Sequence, residues 1–140
     1  MRIEIFVLCD AATSDAAGKL NVLGAFDTLW VAKLPAMYPQ CTIALRIRFE
    51  PHETGSHKVK VNFIDADGSR IIPPAEGNIT VQLKNQQRSI AANLILNLQR
   101  LKIDKTGEYS IDLAIDDQDV ARLPLFIFQK PPATQNLPQN

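Results

Sequence analysis

The chain has 140 residues, 15 basic and 15 acidic side chains and no formal net charge, which fits one domain and removes long-range attraction to nucleic acid or anionic membranes. A hydrophobic fraction of 46% broken into short runs excludes a disordered or collagen-like chain, and no run approaches the roughly 20 apolar residues of a membrane helix. Its two cysteines, Cys9 and Cys41, form no close motif, so no disulfide or zinc framework is signalled; both are expected to be buried and reduced in a cytoplasmic protein.

Met1 to Asp10 superficially resembles a signal peptide, but Glu4 interrupts the apolar run and Asp10 ends it, so a strand is the better reading. Lys19 to Ala32 is long for a strand and changes phase: Leu20, Val22 and Phe26 share one parity, Leu23 and Leu29 the other. Gly24 is the expected bend, having no side chain to clash. Trp30 follows, beside Leu34, Pro35, Met37, Tyr38 and Pro39; it reads either as a core or rim aromatic or as an exposed anchor of the kind interfaces favour.

Period two is clearest next. Cys41, Ile43, Leu45, Ile47 and Phe49 alternate with polar or small residues, as do His57, Val59, Val61 and Phe63, then Ile79, Val81 and Leu83. Paired as a hairpin, the first two strands set Phe49 against His57 and Ile47 against Val59, and bring Arg48 to Lys58 and Arg46 to Lys60. Like charges so placed need acidic neighbours, and Glu108 and Asp112 are the expected ones. Residues 85–101 fit a helix face through Ile90, Leu94 and Leu98 or a strand face through Ala92, Leu94, Leu96 and Leu98. A strand is preferred among strand neighbours, with a helix over residues 85–98 left open.

Tyr109, Ile111, Leu113 and Ile115 form another alternating run. The segment Leu101–Ile111, with Gly107 two residues before Tyr109, looks like the tyrosine corner of immunoglobulin-type sandwiches. A final hairpin turning at Asp117–Gln118, bulged near Ala121–Arg122, would set Leu113 against Leu123, Ile111 against Leu125 and Tyr109 against Ile127. Pro124 demotes that last strand to an edge. The expected fold is an all-β, immunoglobulin-like antiparallel sandwich of seven to nine strands with Greek-key connections over residues 1–129, followed by a disordered or extended tail over 130–140.

The combination of Asp10-Ala11-Ala12, Gly18-Lys19-Leu20-Asn21 leading to Gly24-Ala25-Phe26-Asp27, the Glu53–His57 loop, Asp65-Ala66-Asp67-Gly68, Gly107-Glu108-Tyr109 and Leu123-Pro124-Leu125 resembles a widespread family of small uncharacterised bacterial proteins. The resemblance covers residues 1 to about 129. It implies no catalytic residue, cofactor or substrate.

Chemistry-bearing motifs are scarce. There is no phosphate loop, no His-Glu-x-x-His, no Cys-x-x-Cys and no Gly-x-Ser-x-Gly. His52 and His57, with Glu50 and Glu53, could offer zinc ligands, though at irregular spacing, and a hydrogen-bonded His57 beside the core with an exposed His52 is the plainer reading. Ser56 and Ser110 lack a base and an orienting acid, which leaves little for a small hydrolase. In the expected sandwich Asp65, Asp67, Asp116, Asp117 and Asp119 crowd one end, where calcium could sit, yet they also suit plain turns. The expectation is therefore a non-catalytic binding or assembly module without catalytic residues, metal or cofactor. Its partner would be a protein or a second copy, not nucleic acid or a membrane. The candidate interaction residues are Trp30, Leu34, Met37, Tyr38, Pro124 and Phe126; Gly24, Gly107 and Tyr109 are candidate structural positions. A calcium-dependent ligand-binding sandwich is the alternative.

Overall fold

Alternating apolar residues need a second apolar surface, and here two sheets supply it to each other. The computed structural model describes residues 1–131; apart from Lys130 and Pro131, the expected tail lies outside the described residues. The described part is all-β. One sheet has the order β2 (Leu20–Ala25), β1 (Arg2–Ser14), β4 (Ala36–Phe49), β7 (Ile90–Ile103). The other has the order β3 (Thr28–Val31), β9 (Gln118–Gln129), β8 (Gly107–Ile115), β5 (Gly55–Ile64), β6 (Ala75–Val81). All pairings are antiparallel except β3 with β9. Between the sheets lie Ile43, Leu45, Ile47 and Phe49 of β4 and Val59, Val61 and Phe63 of β5, all fully buried.

The inward faces agree with the alternation in the sequence, but the hairpin between β4 and β5 does not form. β4 pairs with β1 and β7, and β5 with β6 and β8. The connection is a single 3-10 turn, Pro51–Glu53, with Pro51 at its start and a reciprocal box between Glu50 and Glu53. It carries the chain from one sheet to the other instead of folding it back. The two apolar faces therefore meet across the core, and period two is satisfied equally by a partner beside the strand or opposite it. Residues 90–103 are a strand, preceded by a loop rather than a helix.

The last hairpin also differs in register. Its turn is Asp116–Asp117, both with positive φ (51° and 67°), the two-residue geometry whose twist suits a hairpin. The irregularity falls between Leu113 and Ala114, and Tyr109 pairs with Leu125, Ile111 with Leu123 and Leu113 with Ala121. Nor is β9 an edge throughout, because Phe126–Gln129 pair with β3. Only its earlier part, with Pro124, is open. The Phe126 amide donates to Asp27 O at 2.8 Å, so amides of that parity point away from β8, and Pro124 costs the β8 ladder no donor.

Beyond Cys9, β1 leaves β4 and continues paired with β2 alone. The ribbon passes Gly24, whose φ is +67° and where an added Cβ would collide with the Asp10 carboxylate. Its tip returns over the outside of the sheet, where Asn93 Nδ2 donates to Ser14 Oγ at 3.1 Å and Gly18 O at 2.9 Å. Thr42 and Ala44 alternate outward on β4, yet both are fully buried. Cys9 and Cys41 are buried free thiols, and loss of solvation pushes Cys41 up to about 11.

Tyr109, at the start of β8, is buried and donates from its hydroxyl to Lys105 O at 2.7 Å. The bond closes the loop that follows β7. Tyr109→Phe should cost about 1–3 kcal/mol in urea unfolding, because the partly buried Lys105 carbonyl loses its donor. A change within experimental error would show that the hydroxyl holds nothing.

Candidate functional site

Three surface features concentrate the polar and aromatic side chains. The first is an arginine cluster on the outside of the β1–β4 pair. A β-bulge between Ile3 and Ile5 adds one outward residue, Glu4, and aims it between Arg46 and Arg48. Its carboxylate accepts from Arg46 Nε at 3.0 Å and Arg48 Nε at 2.8 Å, with Arg2 Nη2 at 3.5 Å. The hydrogen bond from Arg48 holds Glu4 below the usual carboxylate range, and Glu4 in turn raises Arg48. The expected neighbours stand elsewhere: Asp112 pairs with Arg122 at 2.9 Å, and Glu108 lies on β8 in the other sheet. Nothing in the alternation of β1 marked Glu4, because a bulge does not announce itself in period two.

The second feature is His57. Its ring stacks on Phe49 with centroids 4.8 Å apart. Nδ1 lies 2.7 Å from Asp116 Oδ2, and Nε2 lies 2.6 Å from Glu53 O. Both partners only accept, so both ring nitrogens must donate, and the arrangement suits the imidazolium. The Glu53 carbonyl, followed by Asp116, raises His57 above its ordinary value, and His57 holds Asp116 below its own. His52 points to solvent 3.8 Å from Glu50. The four residues weighed for zinc thus do not converge.

The aspartates do not converge either. Asp65 sits at the end of β5 near Tyr109, whereas Asp116 sits beside Lys58 at the other end of the same strand. At about 3.4 Å per residue the two turns are roughly 24 Å apart. Asp65 Oδ1 accepts from the amides of Asp67 and Ser69 at 2.9 and 3.0 Å, and Lys105 pairs with both Asp65 and Asp67. Asp117 lies 3.5 Å from Lys58 Nζ. Among the described residues no three His, Cys, Asp or Glu side chains are grouped to hold a metal ion. The sandwich therefore lacks the aspartate-rich end on which the calcium reading rested.

The third feature is aromatic. Trp30 is 56% exposed and packs in a tilted arrangement on Phe128, 44% exposed, with ring centroids 4.8 Å apart on neighbouring β3 and β9. Phe126 and Pro124 continue the same face of β9. Pro124 also lines a groove of about 390 Å³ with Val7, Leu8, Ala25, Phe26, Asp27 and Leu123. The other candidate interaction residues are not part of this patch. Leu34 and Tyr38 pack against the core, and Met37, though exposed, lies on β4 opposite Lys102. Phe128 went unnoticed in the sequence because only the parallel pairing of β3 with β9 brings it to Trp30.

Two outcomes test the polar networks. Glu4→Gln leaves Arg2, Arg46 and Arg48 facing one another, so its melting temperature should rise between about 20 mM and 500 mM salt by more than that of the native chain. Equal salt responses would mean that the carboxylate balances nothing. For His57 the folded value lies above the unfolded one, near 6.5, so its stabilisation is complete below that pH and is lost as pH rises through the raised folded value. His57→Gln should flatten the fall in stability across that window in pH-dependent urea melts. Asp116 adds stability of the opposite sense, present above its unfolded value and lost in acid as its lowered folded value is passed.

No helix among the described residues is long and apolar enough to cross a membrane. No curated protein matches the chain. Among solved structures it is similar to a β-glucuronidase of glycoside hydrolase family 2, at 15% identity and a TM-score of 0.38, over 66% of this chain and 11% of the glucuronidase. A superoxide reductase (neelaredoxin) from Ignicoccus hospitalis matches at 10% identity and a TM-score of 0.30, over 86% of this chain and 80% of the reductase. A family model, in contrast, matches residues 4–128. The chain belongs to the family of unknown function DUF6941.

Proposed function

We propose that this sandwich is a non-catalytic binding module that engages a protein partner through the Trp30–Phe128 face. The exposed aromatic pair carries the proposal. Two large rings held together by neighbouring strands lose little side-chain freedom on binding, which makes such residues effective anchors. Phe126 and Pro124 extend the apolar surface, and the groove at Pro124 gives it depth. The titratable side chains support a non-catalytic reading. Both nitrogens of His57 are engaged within the fold, and Ser110 Oγ donates to Asp112, itself paired with Arg122, rather than to a histidine.

An immunoglobulin-like Greek-key connectivity is part of the same proposal. It is supported by the five passages of the chain between sheets, β2 to β3, β3 to β4, β4 to β5, β6 to β7 and β7 to β8, by the parallel β3–β9 edge, and by the Tyr109 bond to Lys105. A bacterial cytoplasmic setting accords with two unpaired cysteines.

Trp30 is the single tryptophan of the chain, so its fluorescence reports on this face directly. Addition of a purified partner, first obtained by affinity capture, should shift Trp30 emission to shorter wavelength. Phe128→Ser should weaken that partner's binding at least about tenfold, as loss of one aromatic anchor typically costs more than 1.4 kcal/mol. A partner that binds both proteins equally and leaves the emission unchanged would place recognition elsewhere.

A further inference from the structure

We infer that the free edge of β7 pairs with the β7 of a second copy of this chain, joining two four-stranded sheets into one of eight. The other three edge strands are short: β2, β3 and β6 have 6, 4 and 7 residues. β7 has 14. One side of it is paired along its length with β4, and among the described residues no backbone group on its other side has a backbone partner. Natural edges of this length are ordinarily guarded by charges, proline or a bulge. From Ile90 to Gln99 there is no charged residue and no proline. The inner side of the strand is occupied, since Leu94 and Leu96 pack toward Gly77 of β6. The hydrogen-bonding edge is what remains.

The sequence of the edge selects a copy of itself. Asn93-Leu94-Ile95-Leu96-Asn97 reads the same in both directions. In an antiparallel pair related by a two-fold axis at Ile95, Leu94 stands opposite the partner's Leu96 and Asn93 opposite the partner's Asn97. Core-facing residues thus meet core-facing residues, as a shared sheet requires. Across Ala91–Gln99 no charge is brought against a charge. Arg88 and the partner's Lys102 are like charges just outside the paired stretch, so the association should strengthen with salt. At roughly 30–40 Å² per residue, these nine positions bury roughly 300 Å² on each partner, well under the roughly 800 Å² of a standard interface. The dimer is accordingly weak and reversible. Residues 132–140 fit the edge poorly, for Pro132 and Pro138 lack amide donors.

The test is sedimentation equilibrium of the full chain from about 10 µM to 1 mM, at low and high salt, with Trp30 emission followed in parallel. A monomer–dimer equilibrium without any shift in emission is expected. Ile95→Lys sets two ammonium groups face to face on the axis and should weaken dimerisation at least about tenfold with little change in melting temperature. As a check independent of that variant, Ile95→Cys should form a disulfide-linked dimer under mild oxidation, opposed Cα atoms being about 4.5–5.5 Å apart. Ala91→Cys should not, since the two copies of that position lie roughly 27 Å apart in this register. A strict monomer at about 1 mM, whether the edge stays bare or is covered by the chain's own tail, overturns the inference. So does a dimer that survives Ile95→Lys, or equal cross-linking at both positions. Association that shifts Trp30 emission would instead assign self-pairing to the aromatic face.

Discussion

Between Phe49 and Gly55 the chain passes between two core strands, β4 of one sheet and β5 of the other, and the facing of those two strands depends on holding that passage in place. A strand with one apolar face is indifferent to whether its partner lies beside it or across the core. The choice is made locally, by Pro51 opening a 3-10 turn and by the Glu50–Glu53 box that fixes it. His57 then ties this turn to the distant β8–β9 hairpin, with Phe49 under its ring, Glu53 O on one nitrogen and Asp116 on the other. One imidazolium therefore joins both sheets at the passage from β4 to β5. Its neighbours are polar on one side and core on the other, a position in which a charged ring can keep both acceptors without being fully dehydrated.

The faces of the strands were legible in the sequence; apart from the β8–β9 hairpin, their partners were not. Ile43, Leu45, Ile47, Val59, Val61 and Phe63 are buried as their parity requires. Yet parity carries no information about which strand lies alongside, so the β4–β5 hairpin and the acidic neighbours of Arg46 and Arg48 were misplaced together. The same limit explains the last hairpin. Moving the turn by one residue and the irregularity by a few shifted every pair by two, which leaves each side chain on its proper face. Parity itself reverses late in β7, where Leu98 and then Leu101 face inward around Arg100 with φ 56°. No single-sequence pattern marks that reversal.

Of the candidate site, Trp30 and the open stretch at Pro124 could be read from composition and from proline's missing donor. Phe126 stands among the candidates with Trp30, but Phe128 does not, because placing it there needs the parallel pairing of a four-residue strand too short to show a period. Leu34 and Tyr38 lay close in sequence to Trp30 and were grouped with it for that reason, but a turn separates them and both pack inward. Glu4 illustrates the opposite error. It looked like an interruption of an apolar run, whereas the bulge makes it the counter-ion of three guanidinium groups.

The two thiols carry a different consequence. Cys9 and Cys41 are sealed on opposite faces of the β1–β4 pair, one against Thr42 O and one in the core. With Cys41 held near 11, almost none of it is thiolate at neutral pH, and an alkylating reagent must wait for the sheet to open. The rate at which the chain takes up such a reagent is then a clock for opening of its central strands. Because the two positions sit on either side of one strand pair, their relative rates distinguish lifting of the β1–β2 ribbon from separation of the two layers.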